Sequence, residues 1–245
     1  DYTMMVSKFA PTIVTIKFVM KVEGAGMGER EQETEAFGVM IDPSGLVLTS
    51  NLQMGGMAQM MRQMRGMDIS LKPTKIKVLV GDDTVGVDAT LVARDSELDL
   101  AFVRVDEKPA KPFAHLDFAE SAEAVMGEKL YTVGRAGRFF DRTPMVNEIR
   151  VSAMAKKPRN LLIPTAGQPM LGMPTLNAAG KVVGVMIIQF PSEEETSGQM
   201  GGEGGGAVIL PAAEVVSATK RALETAEAGG EAGKAADEPE AAKKD

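Results

Sequence analysis

The stretch AFGVMIDPSGLVLTS, residues 36–50, carries the pattern that most limits what this chain can become. Two runs of β-branched and aliphatic residues flank Asp42-Pro43-Ser44-Gly45. Pro43 presets φ for a turn and Gly45 tolerates a positive φ, so the stretch reads as a hairpin. Similar runs recur along the chain. "TIVTIKFVMKVE" (12–23) is rich in β-branched residues, 75–95 is a strand pair around Gly81-Asp82-Asp83, and "DLAFVRVD" (99–106) is a further strand. After a Lys/Pro-marked stretch (107–112) come "KLYTVGR", "NEIRVSAM", "NLLIPTA", "KVVGVMIIQF" and "GAVILP". Many short strands at regular spacing, punctuated by turns, predict an all-β barrel or sandwich.

The remaining segments are read as connections and ends. "MMVSKF" (4–9) predicts a short helical turn that stops at Ala10-Pro11. "GAGMGEREQETE" (24–35) is polar and Gly-rich and predicts a loop. The acidic, Gly-rich 192–206 predicts another, with no ligand spacing for calcium or phosphate. Residues 212–227 predict a closing helix that starts next to Pro211, with Val215, Val216, Thr219, Ala222 and Leu223 on one face. Residues 228–245 hold almost no large apolar side chain and predict a tail that is disordered or only loosely helical.

Composition narrows the class. Of 245 residues 44% are hydrophobic, enough for a sizeable core in one large domain or two small ones. A net charge of −7 without any basic run gives no sign of a nucleic-acid partner. No cysteine is present, which excludes disulfides and thiolate metal sites. No apolar run reaches the roughly 18 residues a membrane span needs. Asp1 rather than Met opens the chain, so a preceding signal peptide, anchor or artificial boundary is expected.

Six segments in order resemble the trypsin-like protease domain of the HtrA/DegP type. They are "MVSKFAPTIVTI", "AFGVMIDPSGLVLTSNLQM", "KVLVGDDTVGVDATLVARDSELDLAFVRVD", "LDFAESAEAVMGEKLYTVGR", "GMPTLNAAGKVVGV" and "GAVILPAAEVV", which cover roughly 4–220. The resemblance implies two antiparallel β-barrels with a cleft between them. An N-terminal barrel would span 1–108 with a Met-rich insertion at 54–67, and a C-terminal barrel 109–211. No PDZ domain is expected to follow. The resemblance also implies a periplasmic or secreted setting and a homo-oligomer, a trimer, with Phe9 and its neighbours as contacts.

The chemistry of that family needs a serine to attack, a histidine to take its proton and an aspartate to orient the histidine. The resemblance places the histidine at Leu52, the aspartate at Asp99 and the serine at Leu171. Leucine is neither base nor nucleophile. One oxyanion donor falls on Pro169, which has no N–H. The one histidine, His115, falls in the link between barrels, outside the cleft. Ser50 and Ser152 are the candidates for a Ser–Lys dyad, though neither has the expected setting. Asp99 is read as an acid retained for hydrogen bonds to backbone N–H groups. Leu52 and Leu171 facing each other would turn a polar cleft apolar.

"MGGMAQMMRQMRGM" (54–67) follows Leu52 directly. Met57, Met60, Met61, Met64 and Met67 recur at steps of three and four, one face of a helix. Three readings stay open: a stripe packed on the barrel or a neighbouring subunit, an adaptable surface for apolar peptides, or soft thioether ligands for Cu(I). Gly55-Gly56 reads as a hinge that lets the segment pivot. The expected function is a catalytically inactive protease homologue that binds a protein or peptide, with no cofactor. The alternatives are an active serine-type endopeptidase with displaced residues and a copper-binding protein.

Overall fold

The structure, a computed structural model, describes residues 2–24, 28–58, 61, 69–157, 159–165, 167–190 and 206–235, with side chains as far as Glu224. Among these residues twelve strands close into two six-stranded antiparallel barrels. The first has the order β1-β2-β3-β6-β5-β4, with β1 Ile13–Gly24, β2 Arg30–Met40, β3 Leu46–Ser50, β4 Ile69–Val80, β5 Val87–Asp95 and β6 Leu100–Val105. The second has the order β10-β11-β12-β9-β8-β7, with β7 Lys129–Arg135, β8 Pro144–Ala155, β9 Leu161–Pro164, β10 Pro174–Asn177, β11 Val182–Gln189 and β12 Gly206–Pro211. The all-β, double-barrel expectation is met.

Period-2 alternation explains the apolar runs. In β6, Ala101, Val103 and Val105 point into the first barrel's interior, whereas Leu100 and Phe102 join a core shared with the second barrel. β3 divides the same way: Val47 goes inside, and Leu46 and Leu48 go to the shared core. Both faces of these strands are buried, so they read as continuous hydrophobic runs. Fully burying one such side chain stabilises the fold by about 1.5–3 kcal/mol.

The loop expected over 24–35 is largely a strand. β2 begins at Arg30, and its outer part pairs with β1 from Val22↔Arg30 to Lys17↔Glu35. No apolar residue alternates there, because this ribbon projects beyond the core. Its side chains pair across strands as ions instead, with Lys21 to Glu29 and Glu31 at 2.9 and 3.2 Å. The loop expected at 192–206 falls on residues outside those described, except Gly206.

The terminal helices are seated crosswise. α1 (Tyr2–Phe9) precedes the first barrel but packs on the second: the Tyr2 ring stands edge-to-face on Tyr131, and its hydroxyl donates to Glu148 at 3.0 Å. Phe9, expected as an inter-subunit contact, is buried inside the chain against Gly180. A buried ring cannot meet a neighbour, so that expectation is corrected. α2 (Ala212–Ala235) leaves the second barrel and packs on β5 of the first, where Ala222 and Leu223 join the shared core with Val92 and Ala93. It runs past the expected end at 227; residues 236–245 lie outside those described. Its buried face is Ala212, Val215 and Ala218, while Val216, expected on that face, is exposed.

A charged clamp also joins the barrels. Arg142, after β7, donates from Nε and Nη2 to both oxygens of Glu35 on β2, at 3.0 and 2.5 Å. These bonds hold the Glu35 carboxyl below its usual range. A depressed folded pKa means that the contribution is complete above the unfolded value of 4.5 and is lost as pH falls through the folded one. Glu35→Gln is therefore expected to cost about 1–2 kcal/mol at pH 7. In urea titrations the gap from wild type should close as pH falls below 4.5 and through the lowered pKa of Glu35.

Candidate functional site

Leu52, Asp99 and Leu171, which the resemblance sets at the triad positions, lie where the end of β3, the β5–β6 turn and the β9–β10 loop approach one another between the barrels. Asp99 occupies the turn before β6 in a left-handed conformation, φ 54°, which Asp tolerates better than most residues. It is buried, with 5% of its surface exposed. Its Oδ1 accepts the backbone N–H of Leu52 at 2.7 Å, and its Oδ2 accepts that of Ile188 at 3.1 Å. Ser50 Oγ donates to both oxygens at 3.0 and 2.9 Å. The carboxylate is thus filled by scaffold donors from both barrels, as the sequence reading expects of an acid retained for structure. Desolvation raises the Asp99 pKa, and the hydrogen bonds from Ile188, Leu52 and Ser50 oppose the rise.

At Leu171 the backbone also holds the barrels together. Gln53 Nε2 donates to the Leu171 carbonyl at 2.7 Å, and Gln53 Oε1 accepts the Phe37 N–H at 3.4 Å. The Leu171 side chain packs on the second barrel's own cluster, with Leu130, Ile149 and Met186 among its members. Leu52 belongs to none of the described apolar clusters. The polar Gln53 bridge, rather than the expected leucine contact, is what spans the gap. Gly172 lies so close to Ser50 N that an added Cβ would come within 2.7 Å, and its N–H is committed to Met186 O at 2.7 Å. Pro169 is exposed and offers no N–H.

The other candidates lie apart from this centre. Ser50 is fully buried and donates to Asp99, so its hydroxyl serves the carboxylate and not a lysine. Ser152 is exposed on β8. His115 is exposed in the link between barrels, with Nδ1 3.1 Å from Phe113 O.

The Met-rich segment is described only in part. Leu52–Gly56 forms a π-helical turn, and Met57 and Met61 are in helical conformation beyond it. Met60, Met64 and Met67 lie outside the described residues. Met57 is 36% exposed, whereas Met54 is fully buried in the first barrel. The hinge expected at Gly55-Gly56 is a close-packed site instead. A Cβ at Gly55 would meet Leu71 O at 2.8 Å, and one at Gly56 would meet Asn51 Nδ2 at 2.4 Å. Arg94 fastens the turn from outside, donating to Asn51 Oδ1 at 2.8 Å and Met54 O at 2.6 Å. Sequence reasoning missed Gln53 and Arg94. Nothing but adjacency to Leu52 marks Gln53, and Arg94 sits in an ordinary strand pattern.

Among the described residues no group of three or more His, Cys, Asp or Glu converges on a metal position, and no helix is long and apolar enough to cross a membrane. Asp99→Asn tests the scaffold role. An amide must turn its own N–H₂ toward the N–H of either Leu52 or Ile188, leaving a buried donor unpaired. The expected cost is about 1–3 kcal/mol by chemical denaturation, with faster exchange of both amide protons.

Comparison with known proteins follows the same line. Residues 36–185 match a family described as the trypsin-like peptidase domain. A search among curated proteins finds no match. Among solved structures, the MamO protease domain from Magnetospirillum magneticum (apo form) is similar at 21% identity and a TM-score of 0.52, over 86% of this chain and 96% of that one. That likeness carries the fold alone, and the family match spans more than half of the chain. The chain belongs to the trypsin-like peptidase domain family.

Proposed function

We propose that this trypsin-like domain is catalytically inactive and acts as a protein- or peptide-binding module of scaffolding or chaperone-like kind. The observation that carries the reading is the engagement of Asp99. In a working triad the acid orients a histidine ring. Here its oxygens take Ser50 and the N–H groups of Leu52 and Ile188, and the position for the base is Leu52 itself. Leu171 at the nucleophile position presents its carbonyl to Gln53. Loss of serine or histidine alone removes roughly 10⁶ of kcat in a protease where it has been measured, so two absences leave no family-type hydrolysis.

The binding half of the proposal draws on the surface. Phe139 and Phe140, on the turn between β7 and β8, stack edge to face at 5.0 Å, with 91% and 64% of their surfaces exposed. Exposed paired aromatics are uncommon on a surface that meets only water. By family resemblance the proposal includes an extracytoplasmic setting and assembly into a trimer, with Tyr2 and Met4 rather than Phe9 as the exposed apolar groups of α1.

Incubation with a fluorophosphonate probe and with casein tests the inactivity. No serine should be labelled and no casein cleaved. Labelling that disappears when one serine is replaced would overturn the reading and favour a hydrolase with displaced residues.

A further inference from the structure

The first barrel is closed between β4 and β5 by only two residue pairs, Lys77↔Asp88 and Val78↔Val87. Beyond them the strands part. The outer half of β4 stays paired with β1, from Val19↔Thr74 to Gly24↔Ile69, and β5 stays paired with β6, from Ala89↔Val105 to Asp95↔Leu100. The parting begins at Lys75, whose φ of 52° takes the strand out of extended geometry, opposite a register shift in β1 between Lys17 and Val19. Two strand edges thus face each other across a groove of about 460 Å³. Residues 71–76 form one wall; Ala89, Thr90, Leu91 and Arg94 form the other.

The lining has a definite chemistry. Ile76, Ala89 and Leu91 belong to the barrel's core or pack against it, so the floor is apolar. Lys72, Lys75 and Arg94 make the rim, and among the described residues no carboxylate lines the groove. Arg94 is engaged by Asn51 and Met54. Lys75 approaches Glu31 only at 3.9 Å, with both side chains exposed, and Lys72 is exposed. The two lysines therefore have charge to offer. Pro73 lacks an N–H, so the β5 wall, free of proline from Val87 to Asp95, is the better ladder.

Resting on the reading of the domain as a binding module, we propose that this groove takes an extended acidic peptide by strand addition. The peptide backbone pairs with the open edge of β5. Alternate side chains fall toward Ile76, Ala89 and Leu91, and the intervening carboxylates face Lys72 and Lys75. A volume of this size lies within the range of ordinary ligand pockets, roughly 300–1,000 Å³. Unpaired strand edges select an extended chain, and the charge of the rim selects its sign.

A fluorescein-labelled octapeptide of alternating valine and glutamate, titrated into the full chain and followed by anisotropy, tests this. Saturable binding that weakens with salt is expected, with slowed amide exchange on the β4-facing edge of β5. The lysine–valine peptide and a backbone N-methylated valine–glutamate peptide should each bind at least ~10-fold more weakly. So should the Lys72→Glu, Lys75→Glu variant, whose fold is checked by circular dichroism; both lysines are exposed. Absent binding, equal binding of the lysine peptide, or full binding by the variant overturns the groove and leaves catalytic inactivity standing. Protection of that edge before any peptide is added means that the chain fills its own groove, which also overturns the proposal. Cleavage of the bound peptide would instead overturn inactivity and leave the groove.

Discussion

A single buried carboxylate organises the centre of this protein. Asp99 accepts Leu52 N–H from the first barrel, Ile188 N–H from the second and the Ser50 hydroxyl, so one side chain satisfies donors on both sides of the interface. Burying a charge is costly unless it is hydrogen-bonded, and these donors are what make the burial tolerable. The residual cost shows in the direction of the shift: burial raises the Asp99 pKa despite its partners. Ionisation of Asp99 therefore costs stability as pH rises through the window above 3.8, opposite in sign to Glu35, whose clamp gains strength as pH rises toward 4.5 and is complete above it.

Around that carboxylate the cleft between the barrels is bridged, not open. The Gln53 amide runs from the Phe37 N–H to the Leu171 carbonyl, and Gly172 presses its backbone against Ser50. These groups leave the frame of the family intact while using its central atoms for cohesion. On the outer wall of the first barrel β4 and β5 separate beyond two residue pairs, and among the described residues no further strand pairs with the edges that face each other there.

Much of the fold was legible because its strands are buried on both faces. β3, β6 and β11 read as apolar runs between turn residues, and the structure places them there. The outer part of β2 was hidden, since Arg30–Glu35 carries no apolar alternation and is a strand only through its pairing with β1. β4 likewise begins at Ile69, ahead of the run that reads as strand, and carries Pro73 within it. At the site, Leu52, Asp99 and Leu171 could be singled out in sequence by resemblance, whereas the Gln53 bridge could not. A glutamine whose carbonyl partner, Leu171, lies 118 positions away leaves no local pattern. Gly55 and Gly56 look like a pivot on paper, yet tertiary packing against Leu71 and Asn51 is why they are glycines.

The crossed seating of the two terminal helices has a mechanical result. α1 rests on the barrel that comes later in the chain, and α2 returns to the barrel that comes earlier. Each half is thus gripped by an arm of the other, as two hands clasp each other's wrists. A protease that nicked the connecting stretch near His115 would leave two fragments still embraced, and heat would have to melt both barrels in one step to part them.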